Sequence, residues 1–163
     1  MKSRIKEDDT SVPYYYNEYW YMRKYEKGKD YPIYLRKYKS LDADEELLVD
    51  VNKLAEGYSY FQLRGISISP DNKKMAYAVD TLSRRIYTIK IKNLETGEMY
   101  NEQIRNTTGG STWANDNKTL FYSSREDVTL RVNKIHKHQL GSEVSEDELV
   151  YEEKDKEFST GIY

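Results

Sequence analysis

The chain has 163 residues, with 26 Lys and Arg against 28 Asp and Glu, a formal net charge of −2, 17 tyrosines and no cysteine. The absence of cysteine excludes disulfides and Cys-ligated metal sites, and the charge balance argues against a nucleic-acid binder. No apolar run reaches the roughly 18 residues that a membrane-spanning helix needs. Because only 37% of the residues are hydrophobic, we expect tyrosine rings to fill part of the core.

The chain begins with basic and polar residues that lead into acid rather than into an apolar segment. We therefore expect no secretory signal and a cytoplasmic location. Further along, apolar residues alternate with polar ones: in Tyr87–Lys92, Tyr87, Ile89 and Ile91 share one face, as in a half-buried strand. The same reasoning predicts ten more strands: Tyr19–Tyr25, Ile33–Lys39, Leu47–Asp50, Gly65–Ser69, Met75–Asp80, Glu98–Ile104, Ser111–Ala114, Thr119–Ser124, Leu130–His136 and Glu148–Glu152.

Residues that favour tight turns separate these strands. They occur at Lys27–Asp30, Ser69–Asn72, Glu95–Gly97, Asn115–Asn117 and Leu140–Ser142. Only Asp50–Gly57 has a helical pattern, with Asp50 as its N-cap and Gly57 at its end. The run Tyr14–Tyr16 does not alternate, so we assign it to a connecting segment. Taken together, these signals predict an all-β fold of antiparallel strands.

An internal repeat indicates how the strands are grouped. Ser69–Tyr77 aligns with Ala114–Tyr122 without a gap, at an offset of 45 residues. A weaker copy lies upstream, where Tyr19–Met22 precedes a turn and the strand Ile33–Lys39. A unit of about 40–50 residues with four antiparallel strands is the period of a β-propeller blade. The sequence therefore predicts about three blades of a seven-bladed propeller, an incomplete ring, although a complete β-sandwich with similar hairpins is an alternative.

The repeat also gives the expected division of the chain. Its parts are a leading segment at 1–17, a first blade at 18–57, a second at 58–104, a third at 105–157 and the start of the next blade at 158–163. Three blades leave sheet faces and strand edges uncovered, so we expect self-association through the open blade faces.

No catalytic, cofactor-binding or metal site is predicted. A serine hydrolase needs the turn G-x-S-x-G, and neither Gly109-Gly110-Ser111 nor Gly141-Ser142 completes it. His136 and His138 lie two apart on a predicted strand and so point to one face, as metal ligands do. No third ligand accompanies them, and solvent-facing histidines are the favoured interpretation. The pairs Asp71-Asn72 and Asp116-Asn117 are read as turns rather than calcium loops.

Two compositional features allow two readings each. Residues 142–157 contain eight acidic residues against two lysines, which fits either a field that steers cationic peptides or an ordinary solvated hairpin. The aromatic residues between Tyr14 and Tyr25 fit either a platform that stacks sugars or peptides, or cross-strand ring pairs between blades. Alternating positions such as Tyr19, Tyr21 and Tyr77 favour the second reading.

Several stretches resemble the oligopeptidase B branch of the prolyl oligopeptidase family of serine peptidases. They are Arg4–Asp9 with Ser11–Pro13, Gly28–Tyr34, Leu48–Gly57, Ser69–Asp71, Asp80-Thr81 with Arg84-Arg85, Asn93–Glu98, Asn106–Gly109, Trp113–Asp116, Thr119–Tyr122 and Leu149–Glu153. The resemblance is colinear and covers essentially the whole chain.

The resemblance implies a parent enzyme that joins a seven-bladed propeller to an α/β-hydrolase domain with a Ser-Asp-His triad. That branch cuts short peptides after Lys or Arg, and its propeller filters access to the active site. The expected partners are thus the hydrolase domain, the remaining blades and short basic peptides, with no nucleic acid, membrane or cofactor. No triad residue of the family maps onto this chain, so we expect it to be inactive alone. The alternative is a free-standing propeller-like module that binds a peptide or glycan.

Overall fold

The computed structural model describes residues 9–126 and 129–162, and most of them are in antiparallel strands. The chain divides into two compact units, one up to Tyr58 and one from Ser59 onward. The first part of the family-like stretch Arg4–Asp9, up to residue 8, and the last residue of the expected final segment lie outside the described residues. Within the described part, no helix has the length and apolar character needed to cross a membrane.

The first unit is one antiparallel sheet with a short helix. Its elements are β1 (Asp9–Thr10), β2 (Tyr14–Tyr16), β3 (Tyr19–Tyr25), β4 (Ile33–Tyr38), β5 (Glu46–Asp50) and α1 (Val51–Ala55). Strand β3 pairs with β1 and β2 along one edge and with β4 along the other, and β5 pairs with β4. The predicted N-cap is confirmed, because the Asp50 carboxylate accepts a hydrogen bond from the backbone N–H of Asn52 at 3.0 Å.

The prediction of a connecting segment at Tyr14–Tyr16 is wrong, because these residues form β2 and pair with β3. The ring of Tyr14 stacks on Tyr21 with centroids 5.3 Å apart, and Tyr15 packs on Trp20 at 5.1 Å. Cross-strand ring pairs of this kind stabilise a strand even where neither of its faces is fully buried. The structure therefore supports the reading of these tyrosines as ring pairs.

The second unit is a sheet in which every strand pairs with its neighbours in the chain. Its strands are β6 (Gln62–Ile68), β7 (Lys74–Asp80), β8 (Tyr87–Asn93), β9 (Met99–Trp113), β10 (Thr119–Arg125), β11 (Val132–Gln139) and β12 (Glu148–Glu152). A 3₁₀ turn, Val144–Glu146, precedes β12. All seven strands are antiparallel to their neighbours, which confirms the predicted all-β fold class.

Strand β9 is continuous where the sequence predicted two strands, Glu98–Ile104 and Ser111–Ala114. Its first half pairs with β8 and its second half with β10, and Thr107 lies opposite both Tyr87 and Ser124. Residues with positive φ, Asn106 at 58° and Gly109 at 88°, lie on either side of that junction. They bend the strand without ending it. Two four-stranded groups, β6–β9 and β9–β12, thus share one strand.

These two groups contain the two copies of the sequence repeat. Met75 and Leu120 hold equivalent positions and are both fully buried. The turns correspond as well, since Asn72 and Asn117 have φ angles of 61° and 60°. The side-chain oxygen of Asn117 accepts a hydrogen bond of 2.8 Å from the backbone N–H of Asp71, which joins one turn to the other. The exact blade boundaries expected from the sequence stay a prediction.

The two groups also approach each other at glycines. A Cβ built on Gly65 of β6 falls 1.7 Å from the carbonyl oxygen of Gly109 in β9. No side chain fits at that distance, and the φ of Gly65 is +64°. Nearby, the indole N–H of Trp113 donates to the carbonyl oxygen of Ser67 at 3.1 Å. Close backbone contact therefore fixes the spacing of β6 and β9.

Candidate functional site

A buried polar cluster in the second unit joins a tyrosine, an aspartate and a histidine. The Oδ1 atom of Asp147 lies 2.6 Å from Nδ1 of His138, and the Tyr122 hydroxyl donates to its Oδ2 atom at 2.8 Å. The side chains of His138 and Asp147 are 0% and 4% exposed. Burial raises the pKa of Tyr122, and the hydrogen bond to Asp147 raises it further. The phenol is therefore a hydrogen-bond donor at neutral pH.

Three segments bring these groups together. Tyr122 lies on β10 and His138 on β11, where His138 pairs with Leu120. After β11 the chain turns at Gly141, whose φ is 91°, and the 3₁₀ turn then returns it to the sheet. Val144 packs against the apolar core cluster of the unit. Asp147 therefore anchors the returning segment to β10 and β11.

The prediction that His136 and His138 face solvent is wrong. His138 is fully buried, and His136 is half-buried with its ring stacked on Tyr122, the centroids 5.2 Å apart. Burial lowers the pKa of His136, while the charge of Asp147 opposes that change. Because both rings lie beside the Tyr122–Asp147 pair, they share one face of β11, as the spacing of two predicted.

A serine and a histidine also meet on this face. Oγ of Ser124 lies 3.0 Å from Nε2 of His136, the distance expected between a nucleophile and its base. A triad needs an acid that orients the same histidine, yet Asp147 is bonded to His138. An oxyanion hole also needs free backbone N–H groups near the serine. Both partners lie within paired strands, where hydrogen bonds between the strands already use these groups. The pair therefore has the geometry of a structural contact.

Metal binding finds no support in the arrangement of side chains. Within residues 9–126 and 129–162, no three His, Asp or Glu residues are placed to hold a metal ion. In the two turns whose sequences have features of calcium loops, the carboxylates bind groups of their own turn. Asp116 accepts hydrogen bonds from the backbone N–H and the hydroxyl of Thr119 at 2.8 and 2.6 Å, and Asp71 binds Lys74 Nζ at 2.9 Å.

A groove of about 740 Å³ lies between the start of β9 and the segment after β11. Its lining residues are Met99, Tyr100, Asn101, Glu102, Gln103, Gly141, Ser142, Glu143, Val144 and Ser145. Two of them are acidic and none is basic. One of those carboxylates, Glu102, already accepts a 2.7 Å hydrogen bond from the backbone N–H of Gly141. The groove is therefore polar and lacks a nucleophile–base pair.

The acidic stretch 142–157 is only partly a solvated surface. The side chain of Asp147 is buried, Glu148 pairs with Lys137 at 2.8 Å, and Glu152 lies 3.7 Å from Lys134. Local pairing of this kind reduces the field that the stretch projects into solvent. The role of Asp147 had no signal in the sequence beyond its charge, because the contact depends on how the chain returns after β11.

Comparison with known proteins identifies the family that has this architecture. A model described as the prolyl oligopeptidase N-terminal β-propeller domain matches residues 1–163. The chain belongs to the prolyl oligopeptidase family. The resemblance found in the sequence is thereby confirmed.

Relatives within the prolyl oligopeptidase family cover nearly the whole chain. It is 39% identical to dipeptidyl aminopeptidase BI of Pseudoxanthomonas mexicana over 98% of its length, and 33% identical to Protease 2 of Moraxella lacunata over 99%. The structure of oligopeptidase B from Leishmania major superposes with a TM-score of 0.93 at 34% identity, over 99% of this chain. The chain spans 24% of each of the two named relatives and 23% of the Leishmania protein.

Proposed function

We propose that this chain forms the first blades of the propeller of a cytoplasmic serine peptidase that cleaves short peptides after Lys or Arg. The observation that carries the proposal is the agreement with oligopeptidase B in both fold and sequence along nearly the whole chain. The Lys/Arg preference is the one that the resemblance to this branch implies. Within the enzyme, the segment acts as a filter that admits short peptides and excludes folded proteins.

We further propose that the segment contributes no catalytic residue. In its described part, the serine–histidine contact between Ser124 and His136 lacks an orienting acid, since Asp147 is committed to His138. The purified 163-residue chain should therefore not hydrolyse a blocked arginyl chromogenic substrate. Hydrolysis that persists through purification and is abolished by Ser124→Ala would overturn this part of the proposal.

The reading frame beyond residue 163 tests the assignment most directly. We expect it to continue through further blades to a G-x-S-x-G motif, which supplies the nucleophilic serine. A natural stop codon at that point would instead favour the free-standing interaction module.

The substrate preference is tested on the longer protein encoded by that frame. With N-terminally blocked dipeptide substrates, we expect release of the chromophore after Arg and Lys and none after Pro or Ala. The same arginyl sequence placed within a stably folded protein should resist cleavage, because a filter admits only short chains. Cleavage after Pro, or equal cleavage of the folded protein, would refute the proposal.

A second activity is favoured by one relative. The 39%-identical protein carries the name dipeptidyl aminopeptidase, which describes release of dipeptides from a free N-terminus. A pair of arginyl substrates that differ only in whether their N-terminus is free or blocked separates the two activities. A strict need for the free amine would assign the dipeptidyl activity, whereas cleavage of the blocked substrate supports the oligopeptidase.

A further inference from the structure

The arginines of the second unit are concentrated at one end of its strands. All six arginines from residue 59 onward lie close to the end at which Tyr87 and Ser124 both oppose Thr107. They are Arg64, Arg84, Arg85, Arg105, Arg125 and Arg131. The nine lysines of the same unit are instead spread along the strands and turns. Such segregation of one cation type is a feature that the fold itself does not require.

Four of these residues, Arg64, Arg84, Arg85 and Arg105, are exposed, and we call this group the arginine end. Arg84 and Arg85 lie in the loop between β7 and β8, Arg105 precedes Thr107 in β9, and Arg64 pairs with Ala78 near the end of β7. The Arg64 guanidinium lies 5.9 Å from the centroid of Tyr87, the residue that begins β8. The four residues thus lie near the same end of the strands.

The arginine end is not neutralised by the part of the chain that the structure describes. No ion pair there involves any of its four arginines. Lysines of the same unit are paired: Lys73 lies 2.9 Å from Glu95, and Lys137 lies 2.8 Å from Glu148. Other acids of the unit pair with lysines, with Arg131 or with His138, and the four exposed arginines have no ion-pair partner among the described residues.

The loop that carries two of these arginines is held in a defined shape. Asp80 is 1% exposed, and its carboxylate accepts hydrogen bonds from the backbone N–H groups of Leu82 and Arg85 at 2.8 and 2.7 Å. The loop also presents apolar side chains, because Leu82 is 73% exposed and Ile86 is 38% exposed. Fixed backbone beneath exposed side chains lowers the entropy that is lost on binding.

We propose that the arginine end docks a carboxylate-rich protein surface that also presents apolar side chains. Guanidinium groups bind carboxylates through two parallel hydrogen bonds, which a lysine cannot match. Arginines beside exposed apolar residues are typical of protein interfaces, whereas a nucleic acid offers Leu82 and Ile86 no apolar contact along its backbone. The overall charge of −2 also disfavours a polyanion that binds by charge alone. This inference goes beyond the peptidase function and does not depend on it.

The test uses the 163-residue chain and a fluorescein-labelled peptide of glutamates interrupted by leucines. Fluorescence anisotropy at low salt should show binding that weakens as salt is added, because the interaction is between exposed charges. The triple variant Arg84→Ala, Arg85→Ala, Arg105→Ala should bind about tenfold more weakly. The control Lys73→Ala, Lys118→Ala, Lys137→Ala removes the same number of positive charges away from the arginine end. It should leave the affinity within about twofold.

Further measurements distinguish a carboxylate-rich protein surface from a nucleic acid and from a second copy of this chain. Leu82→Ser should weaken binding of the leucine-containing peptide but not of a peptide of glutamate alone. The proposal is overturned if the peptide does not bind, if both triple variants bind alike, or if a single-stranded oligonucleotide of equal charge binds more tightly. Sedimentation velocity then measures whether the chain and the arginine variant self-associate. Self-association that the arginine variant alone abolishes would identify a second copy of the chain as the occupant and overturn the proposal.

Discussion

Tyr77 and Tyr122 hold equivalent positions in the two repeat copies, and their hydroxyl groups meet different partners. Both are buried, at 3% and 6% exposure. The hydroxyl of Tyr77 contacts the Met99 sulfur at 3.7 Å, whereas that of Tyr122 donates to the Asp147 carboxylate at 2.8 Å. A thioether is a weak acceptor and a carboxylate is a strong one. The repeat thus determines where each ring lies, and a segment outside the repeat determines its chemistry.

The neighbouring strand differs in the same way. Opposite Tyr77 and Met75, strand β8 places Lys90 and Lys92, while β11 places His136 and His138 at the matching positions. Burial lowers the pKa of Lys92. A long lysine side chain can lay its stem along apolar surface, but a fully buried histidine needs a polar partner. The second copy therefore depends on Asp147.

The largest effect is expected where the two copies touch. Gly65→Ala should lower the free energy of unfolding by more than about 4 kcal/mol, because its Cβ would overlap the Gly109 carbonyl. Gly97→Ala is the matched control: its φ is +78° and nothing lies within 4 Å of the added carbon. The control should lose only about 1 kcal/mol through left-handed backbone strain. Equal losses in urea unfolding would mean that the close approach does not join the copies.

Asp147→Ala should be the next most damaging change, with a loss of about 3 kcal/mol. It leaves Nδ1 of His138 and the Tyr122 hydroxyl buried without their acceptor. Met99→Ala, the corresponding change in the first copy, should lose about 1 kcal/mol because Met99 is 45% exposed. Chemical denaturation of both variants measures the difference. A loss for Asp147→Ala no larger than that for Met99→Ala would remove the distinction between the copies.

Removal of the hydroxyl groups alone should give a smaller difference in the same direction. Tyr122→Phe should lower the free energy of unfolding by about 2 kcal/mol, since Asp147 then keeps a buried oxygen without its donor. Tyr77→Phe should lose less than about 0.5 kcal/mol, because its hydroxyl contacts only sulfur. Thermal melting of both variants under the same conditions would detect the difference between the two losses. A larger loss for Tyr77→Phe than for Tyr122→Phe would contradict this account of the two hydroxyl groups.

The smallest expected effect is a loss of stability in acid that the two copies share, because each has an aspartate with a lowered pKa in its turn. Hydrogen bonds from the Thr119 hydroxyl and the backbone of residues 118 and 119 lower the pKa of Asp116 to about 2. Because the folded-state pKa lies below the ordinary value, this stabilisation is present above about pH 4. It is lost as pH falls through 2. The advantage of the wild type over Asp116→Asn in thermal melts should therefore shrink across that range.

Asp71, at the corresponding turn, provides the comparison. Burial alone would raise its pKa, but hydrogen bonds from Ser69 and Lys74 hold the pKa below its ordinary value. Asp71→Asn should therefore lose its difference from the wild type on acidification as well. Added salt should reduce that difference more than it does for Asp116→Asn, since Lys74 forms an ion pair with Asp71 at 2.9 Å. A difference that grows on acidification would contradict both assignments.

The arrangement of strands was largely predictable, and the exceptions have local causes. Alternation located β8, because the buried Tyr87, Ile89 and Ile91 alternate with residues that are only half-buried. It missed β2, whose three tyrosines are all exposed and of which Tyr14 and Tyr15 pair with rings on β3. It also split β9 into two strands, with a gap at the residues where Asn106 and Gly109 take positive φ angles and bend the strand.

By itself, the sequence of this protein determined the fold class, the repeat and the family, because these depend on local periodicity, turn residues and colinear similarity. Tertiary structure decided which side chains meet. Asp147 reaches His138 only through the return of the chain after β11, and Gly65 reaches Gly109 only because β6 and β9 pack closely. The segregation of arginines likewise arises from strand register, which brings residues 64, 84, 85 and 105 to one end. Contacts between residues far apart in sequence carry no local signal.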